Sequence, residues 1–172
     1  MKTLSRKILL IGLGLALLLA GVTACQTRQE KAPAYAMARF YLEADVTQTG
    51  AEWQTAVLPV SQVEIPLPPK PLLTEKDFAA VELVQVDLGL CLLFRLIPEK
   101  APLLYEATGR SRGKRLVLKV NGRPLGVRLI TEGIYDGNLF TFVEVPDPEL
   151  AKLAKKLQAF IQELQRLNEK TP

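Results

Sequence analysis

The sequence predicts an α+β fold: an antiparallel sheet with helices mainly on one face, followed by a long C-terminal amphipathic helix. Three observations carry that expectation. Asn121-Gly122 lies between two runs of alternating apolar and polar residues in Lys114–Leu129 (KRLVLKVNGRPLGVRL), a strong short-range signal for a β-hairpin. Leu90–Ile97 is a nearly unbroken apolar run of strand length, suited to the middle of a sheet. Leu150, Leu153, Ala154, Leu157, Phe160, Ile161, Leu164 and Leu167 recur at i, i+3, i+4, i+7 spacing, which makes one apolar stripe on a helix.

The chain opens with a segment that reads as an address rather than as part of the fold. Lys2, Arg6 and Lys7 precede the short apolar core Ile8–Ala20, the layout of a secretory signal peptide over residues 1–24. The competing reading is an uncleaved membrane helix, at the short end of the ~17–25 residues that cross a bilayer. Val22-Thr23-Ala24-Cys25 favours the first, because it resembles the bacterial lipobox. That resemblance implies cleavage between Ala24 and Cys25 and a lipid anchor on the Cys25 thiol. Each buried methylene contributes about 0.8 kcal/mol, so two or three acyl chains hold a protein to a membrane where one does so marginally. Gln26 stands where an inner-membrane retention signal resembles Asp, so the outer membrane facing the periplasm is expected, with the inner membrane as the alternative. Residues 25–35 then form the lipidated cysteine and a polar tether, and residues 36–172 a single α+β domain.

Within that domain Ala38, Phe40, Leu42 and Ala44 alternate with polar neighbours over Ala38–Asp45, a half-buried strand. Val57–Ile65 holds one or two more, pushed to edge positions by Pro59 and Pro66. Pro66–Pro71 (PLPPKP) reads as a stiff connector; a docking peptide for an aromatic groove is the sharper, less favoured reading. Thr74 with Asp77 three residues on forms a near capping box and predicts a short helix to about Ala80. Val81–Asp87 and Leu90–Ile97 follow as strands around Leu88-Gly89. Pro98–Thr108 is the next helix, with its true start near Glu99–Ala101, Pro102 in the first turn and Gly109 as the C′ residue.

A two-residue loop at Asn121-Gly122 pairs Val120 with Arg123, Leu118 with Leu125 and Leu116 with Val127. Leu116, Leu118, Val120, Leu125, Val127 and Leu129 then share one face. Covering each aliphatic there contributes roughly 1.5–3 kcal/mol, and helices supply the cover. Asp136-Gly137 is a further turn signal, and Leu139, Thr141, Val143 and Val145 alternate on the strand after it. Asp147-Pro148-Glu149 then reads as N-cap, first-turn proline and acidic first turn. The helix it opens is about 30 Å long, so Leu164 and Leu167 overhang a small sheet and either meet a partner or fray.

Composition removes several classes of activity. There is no histidine, which excludes His-based acid-base chemistry, Ser-His-Asp and Cys-His nucleophiles, and His-containing metal sites. Two cysteines, Cys25 and Cys91, are too few for a cysteine-rich zinc site. No metal or cofactor is therefore expected. With Cys25 acylated, Cys91 has no partner and reads as a buried, inert thiol; its nearest cation along the strand is Arg95. Of the 22 basic residues, three lie in the leader, leaving 19 against 18 acidic ones. A near-neutral domain lacks the footprint of a nucleic-acid binder.

Two clusters remain as candidates. Gly109–Arg115 (GRSRGKR) places Arg110, Arg112, Lys114 and Arg115 at a helix C-terminus, where cations complement the dipole by ~0.3–1 kcal/mol. The functional reading is an anion or partner patch. Glu132, Asp136, Glu144, Asp147 and Glu149 form a carboxylate crowd. A glycosidase needs two such groups across a cleft, but no spacing here selects a pair.

From Leu73 to about Leu157 the order of features resembles the head of the first periplasmic domain of SecD, the preprotein-translocase subunit. The residues concerned are LTEKDF (73–78), LCLLFRLIPEKAPLLYEATG (90–109), GKRLVLKVNG (113–122) and FVEVPDPEL (142–150). The resemblance implies an antiparallel sheet with helices largely on one side. The glycine-rich stretch that follows this hairpin in SecD is present only as Gly133 and Gly137, and the membrane helices of SecD have no counterpart. A shared module is implied, not a translocation motor. The whole chain also looks like small envelope lipoproteins of unknown function. The reading that follows is a non-enzymatic envelope lipoprotein whose domain contacts another polypeptide or a cell-wall component. A carboxylate-dependent enzyme acting on the cell wall is the alternative, and a purely structural surface protein is a third.

Overall fold

The computed structural model describes residues 35–47 and 52–169. Ala24, Cys25 and the tether up to residue 34 lie outside them. Eight strands form in chain order: β1 (Ala38–Leu42), β2 (Gln54–Val57), β3 (Glu64–Leu67), β4 (Phe78–Val86), β5 (Gly89–Leu96), β6 (Arg115–Val120), β7 (Arg123–Leu129) and β8 (Asn138–Val143). Two α-helices, α1 (Ala101–Gly109) and α2 (Asp147–Glu169), complete the described elements, with short 3-10 turns at Glu75–Asp77 and Pro98–Lys100. Six strands make one antiparallel sheet in the order β1-β6-β7-β8-β5-β4, while β2 and β3 make a separate hairpin.

The two faces of the large sheet are covered by different things. On one face Phe40, Phe78 and Phe94 meet with ring centroids 4.9–5.8 Å apart, at the centre of the main core. Leu104 of α1 and Leu150, Ala154, Leu157 and Ile161 of α2 close over them. Behind the sheet Tyr41 and Val117 are covered by Ala56, Leu58, Ile65 and Leu67 of the β2–β3 hairpin, with Val127 packed against them. Helices therefore lie on one face as predicted, and a hairpin makes a second, smaller core on the other. Pro66 sits inside β3 rather than opening a connector, and its carbonyl accepts the Ala44 N–H at 2.8 Å.

The central hairpin turns at Asn121-Gly122 as expected, with φ of +49° and +82°, the left-handed pair that a type I′ turn needs. Val120 faces Arg123, but Lys119 faces Pro124 and Leu118 faces Gly126, so Leu125 is an extra residue on β7. That bulge corrects the predicted register, because one inserted residue exchanges the faces of everything beyond it. Leu125 packs on the main core, Val127 belongs to the second core, and Leu129 is exposed. Gly126 stands where β7 passes closest to β8. A Cβ there meets the Phe142 carbonyl oxygen at 2.4 Å.

Three further boundaries differ from the sequence reading. The helix expected to run to Ala80 is a single turn, because Phe78 already belongs to β4, where a register shift between Phe78 and Ala80 lets both Phe78 and Val81 enter the core. Asp77 still caps it, accepting the Thr74 N–H at 2.7 Å and its hydroxyl at 2.9 Å. Gly109 is the last residue of α1, not a left-handed C′ residue, and the chain continues in helical geometry through Arg110. Val145 lies beyond β8, which ends at Val143.

Both sheet edges are occupied over part of their length. Gln158 of α2 accepts the Val81 N–H at 2.7 Å, and Gln165 donates to the Ala79 carbonyl at 2.9 Å. On β1, Phe40 donates to the Leu73 carbonyl at 2.9 Å and accepts from Leu72 at 2.7 Å.

Gly126→Ala is expected to cost about 1–3 kcal/mol, because overpacking here displaces backbone and not a flexible side chain. Urea denaturation measures it; an unchanged midpoint would show that β8 yields freely.

Candidate functional site

The basic segment after α1 owes its shape to Thr108. The buried Thr108 hydroxyl donates to the Leu104 carbonyl at 2.7 Å and accepts the Ile134 N–H at 2.9 Å, tying the 130–134 segment to the helix. Ser111 N–H returns to the Thr108 carbonyl, and Gly113, at φ +83°, donates to Ile130 at 2.8 Å. The loop is thereby held between helix and sheet.

This geometry divides the four basic residues. Arg115 forks onto Glu43, with Nε to Oε2 at 2.9 Å and the backbone N–H on the same oxygen at 3.0 Å. Lys114 lies 4.0 Å from Asp45. Arg110 pairs with Glu106 one turn back at 2.9 Å. Arg112 is exposed and has no ion pair among the described residues. Arg110 and Arg112 line a shallow groove of about 510 Å³ together with Tyr105, Glu106, Gly109 and Gly133. Gly133 leaves room for the Tyr105 ring, since a Cβ there would sit 2.8 Å from it and displace Tyr105. Tyr105 remains half exposed, so the groove offers an aromatic face beside two guanidinium groups. Sequence reasoning missed Tyr105 and Gly133. Their meeting depends on the Thr108–Ile134 hydrogen bond, which spans 26 residues and has no local signal.

The carboxylates do not gather. Asp136 accepts the Asn138 backbone and side-chain amides at 3.0 Å within its own turn. Glu144 accepts the Val60 and Ser61 N–H groups at 2.8 and 3.0 Å, fastening the β2–β3 loop to the sheet. Glu132 is exposed on the surface. Among the described residues no group of three His, Cys, Asp or Glu is placed to hold a metal ion. Cys91 is fully buried, and burial pushes its thiol up, against a smaller opposing pull from Arg128 rather than from Arg95. Such a thiol is a poor nucleophile. Among the described residues no helix is long and apolar enough to cross a membrane.

Solved structures share this arrangement of strands and helices. A crystal structure of SecDF in a super-membrane-facing form matches with a TM-score of 0.53 at 22% identity, over 71% of this chain and 18% of that one. A second structure, of SecDF as a membrane component that enhances protein export, matches with a TM-score of 0.52 at 21% identity, over 72% of this chain and 62% of that one. The fold resembles the periplasmic head of SecD. The chain spans less than two thirds of either SecDF chain, so the likeness is one of architecture and not of whole proteins. No protein-family model matches the chain. No curated protein matches it either.

The Glu43–Arg115 pair sets an acid limb. Hydrogen bonding from the Arg115 guanidinium holds the Glu43 carboxyl below its ordinary 4.5, against the opposing effect of burial. A carboxyl lowered by folding stabilises the protein above the unfolded value, and that stabilisation is lost as pH falls through the folded one. Glu43→Gln is therefore expected to cost about 1.5–3 kcal/mol at pH 7. The cost shrinks at pH 3, and urea midpoints at the two pH values measure the difference.

Proposed function

We propose that this chain is an envelope lipoprotein whose SecD-head-like domain is a non-enzymatic module exposed to the periplasm and contacting another polypeptide. Residues 1–24 are its signal peptide, Cys25 carries the acyl chains, residues 25–35 are the tether and residues 36–172 form the domain. It resides on the outer membrane, facing the periplasm. The observation that carries this reading is the fold, which resembles that of SecDF, a membrane component that enhances protein export. SecDF enhances protein export; for this chain the corresponding part is contact with a polypeptide, without the motor. The Tyr105, Arg110 and Arg112 groove is the contact surface, because it combines an exposed ring with cations, the side chains that dominate protein interfaces. Non-enzymatic action is supported by Asp136, both of whose oxygens hold its own turn, and by Glu144, whose Oε2 holds a loop.

Metabolic labelling with palmitate is expected to mark the parent protein and leave Cys25→Ala unmarked. An unlabelled parent would remove the anchor. Crosslinking in intact cells is expected to return one reproducible polypeptide partner, with a several-fold lower yield after Arg110→Glu and Arg112→Glu together. Undiminished yield would place the contact elsewhere.

A further inference from the structure

Lys119 presents a different problem from the basic loop. It is only 9% exposed, yet its ammonium has no carboxylate partner among the described residues. The ammonium lies over the Tyr41 ring, 5.0 Å from the centroid. Directly across the strand pair stands Arg39, a second cation on the same face. Like charges facing each other across strands oppose pairing. Glu75 relieves Arg39, which it holds at 3.0 Å, and nothing comparable among the described residues relieves Lys119. Burial accordingly pushes the Lys119 ammonium below its ordinary value.

Beside this pair is a hollow of about 70 Å³ lined by Met37, Arg39, Tyr41, Lys119, Asn121 and Gly122. Its rim is braced, since Asn121 Oδ1 accepts the Met37 N–H at 2.9 Å and Asn121 N–H donates to the Met37 carbonyl at 3.0 Å. That leaves Asn121 Nδ2 as a donor with no partner among the described residues. A water needs roughly 10–15 Å³ on such a measure, so the hollow has room for a compact, several-atom polar group. An anion there answers the cross-strand repulsion and the unpaired ammonium together. The position narrows its source. Tyr35 stands ten positions after Cys25, a reach of at most about 35 Å. Along the sequence, Met37 and the hairpin tip hydrogen-bonded to it are the part of this hollow nearest the proposed anchor.

We propose that the Lys119–Arg39–Asn121 hollow binds the phosphate of a membrane phospholipid headgroup and so fixes which pole of the domain faces the bilayer. The choice of a lipid as the source rests on acylation at Cys25; the anion chemistry does not. Full-length protein in dodecyl maltoside micelles is titrated with sodium phosphate against sodium chloride at equal ionic strength. The melting midpoint and amide exchange at Met37, Asn121 and Gly122 are followed. A saturable rise in midpoint with slower exchange at those amides is expected. Lys119→Met loses it, and Lys152→Gln, on the polar face of α2, keeps it. Where Lys119→Met lowers the unliganded midpoint, Arg39→Gln at the rim provides the same comparison. Micelles doped with phosphatidylglycerol reproduce the protection and micelles doped with diacylglycerol do not. No response to phosphate or to phosphatidylglycerol overturns the site. A response to free phosphate alone overturns the lipid as its source, while palmitate labelling judges the anchor separately.

Discussion

The extra residue at Leu125 governs how this sheet is used. On β7, Leu125 packs with Leu116, Leu118 and Val120 of β6 on the main core; beyond the bulge, Val127 points to the opposite side and joins Val117 against the β2–β3 hairpin. In a regular hairpin Val127 would have shared the face of Leu125 and left Val117 and Tyr41 to meet the second layer without it. With the bulge, Val127 widens the apolar surface of Tyr41 and Val117 on which the β2–β3 hairpin folds. A lone two-stranded hairpin is marginal in water, so this one depends on that surface. Glu144, the residue that follows β8, then clamps its loop.

The same arrangement accounts for the burial of charged groups. Tyr41 and Lys119 sit where the second core ends, so the lysine stem is packed and its ammonium rests over a ring. Nearby, Glu43 extends beyond β1 to meet Arg115 at the start of β6, converting one basic residue of the loop into a structural pair. Arg110 and Arg112, on the helix side, face a groove instead. One short basic sequence thus has two fates, decided by whether an acidic residue of β1 or its extension lies within reach.

Much of the framework was legible. The Asn-Gly turn, the apolar run of β5 and the stripe of α2 are local signals of period two or 3.6, and each produced the element it predicted. What failed depended on contacts distant in sequence. The 3-10 turn at Glu75–Asp77 yields to a strand because Phe78 is drawn into a ring cluster with Phe40 and Phe94. Glycine at 126 signals close approach, but only β8, placed opposite by the fold, reveals what approaches. The Arg110–Tyr105–Gly133 groove and the Lys119 hollow are likewise assembled across long loops. In Lys119 alternation marks an outward residue, and nothing nearby announces that a second layer covers it.

The glutamines of α2 have an effect beyond local satisfaction of hydrogen bonds. Gln158 and Gln165 engage the outer backbone groups of Val81 and Ala79, and Leu72-Leu73 does the same for Phe40 on the far strand. A strand arriving from a neighbouring molecule finds those positions taken at both margins. Fibrous stacking through a continued ladder is thereby discouraged at those positions.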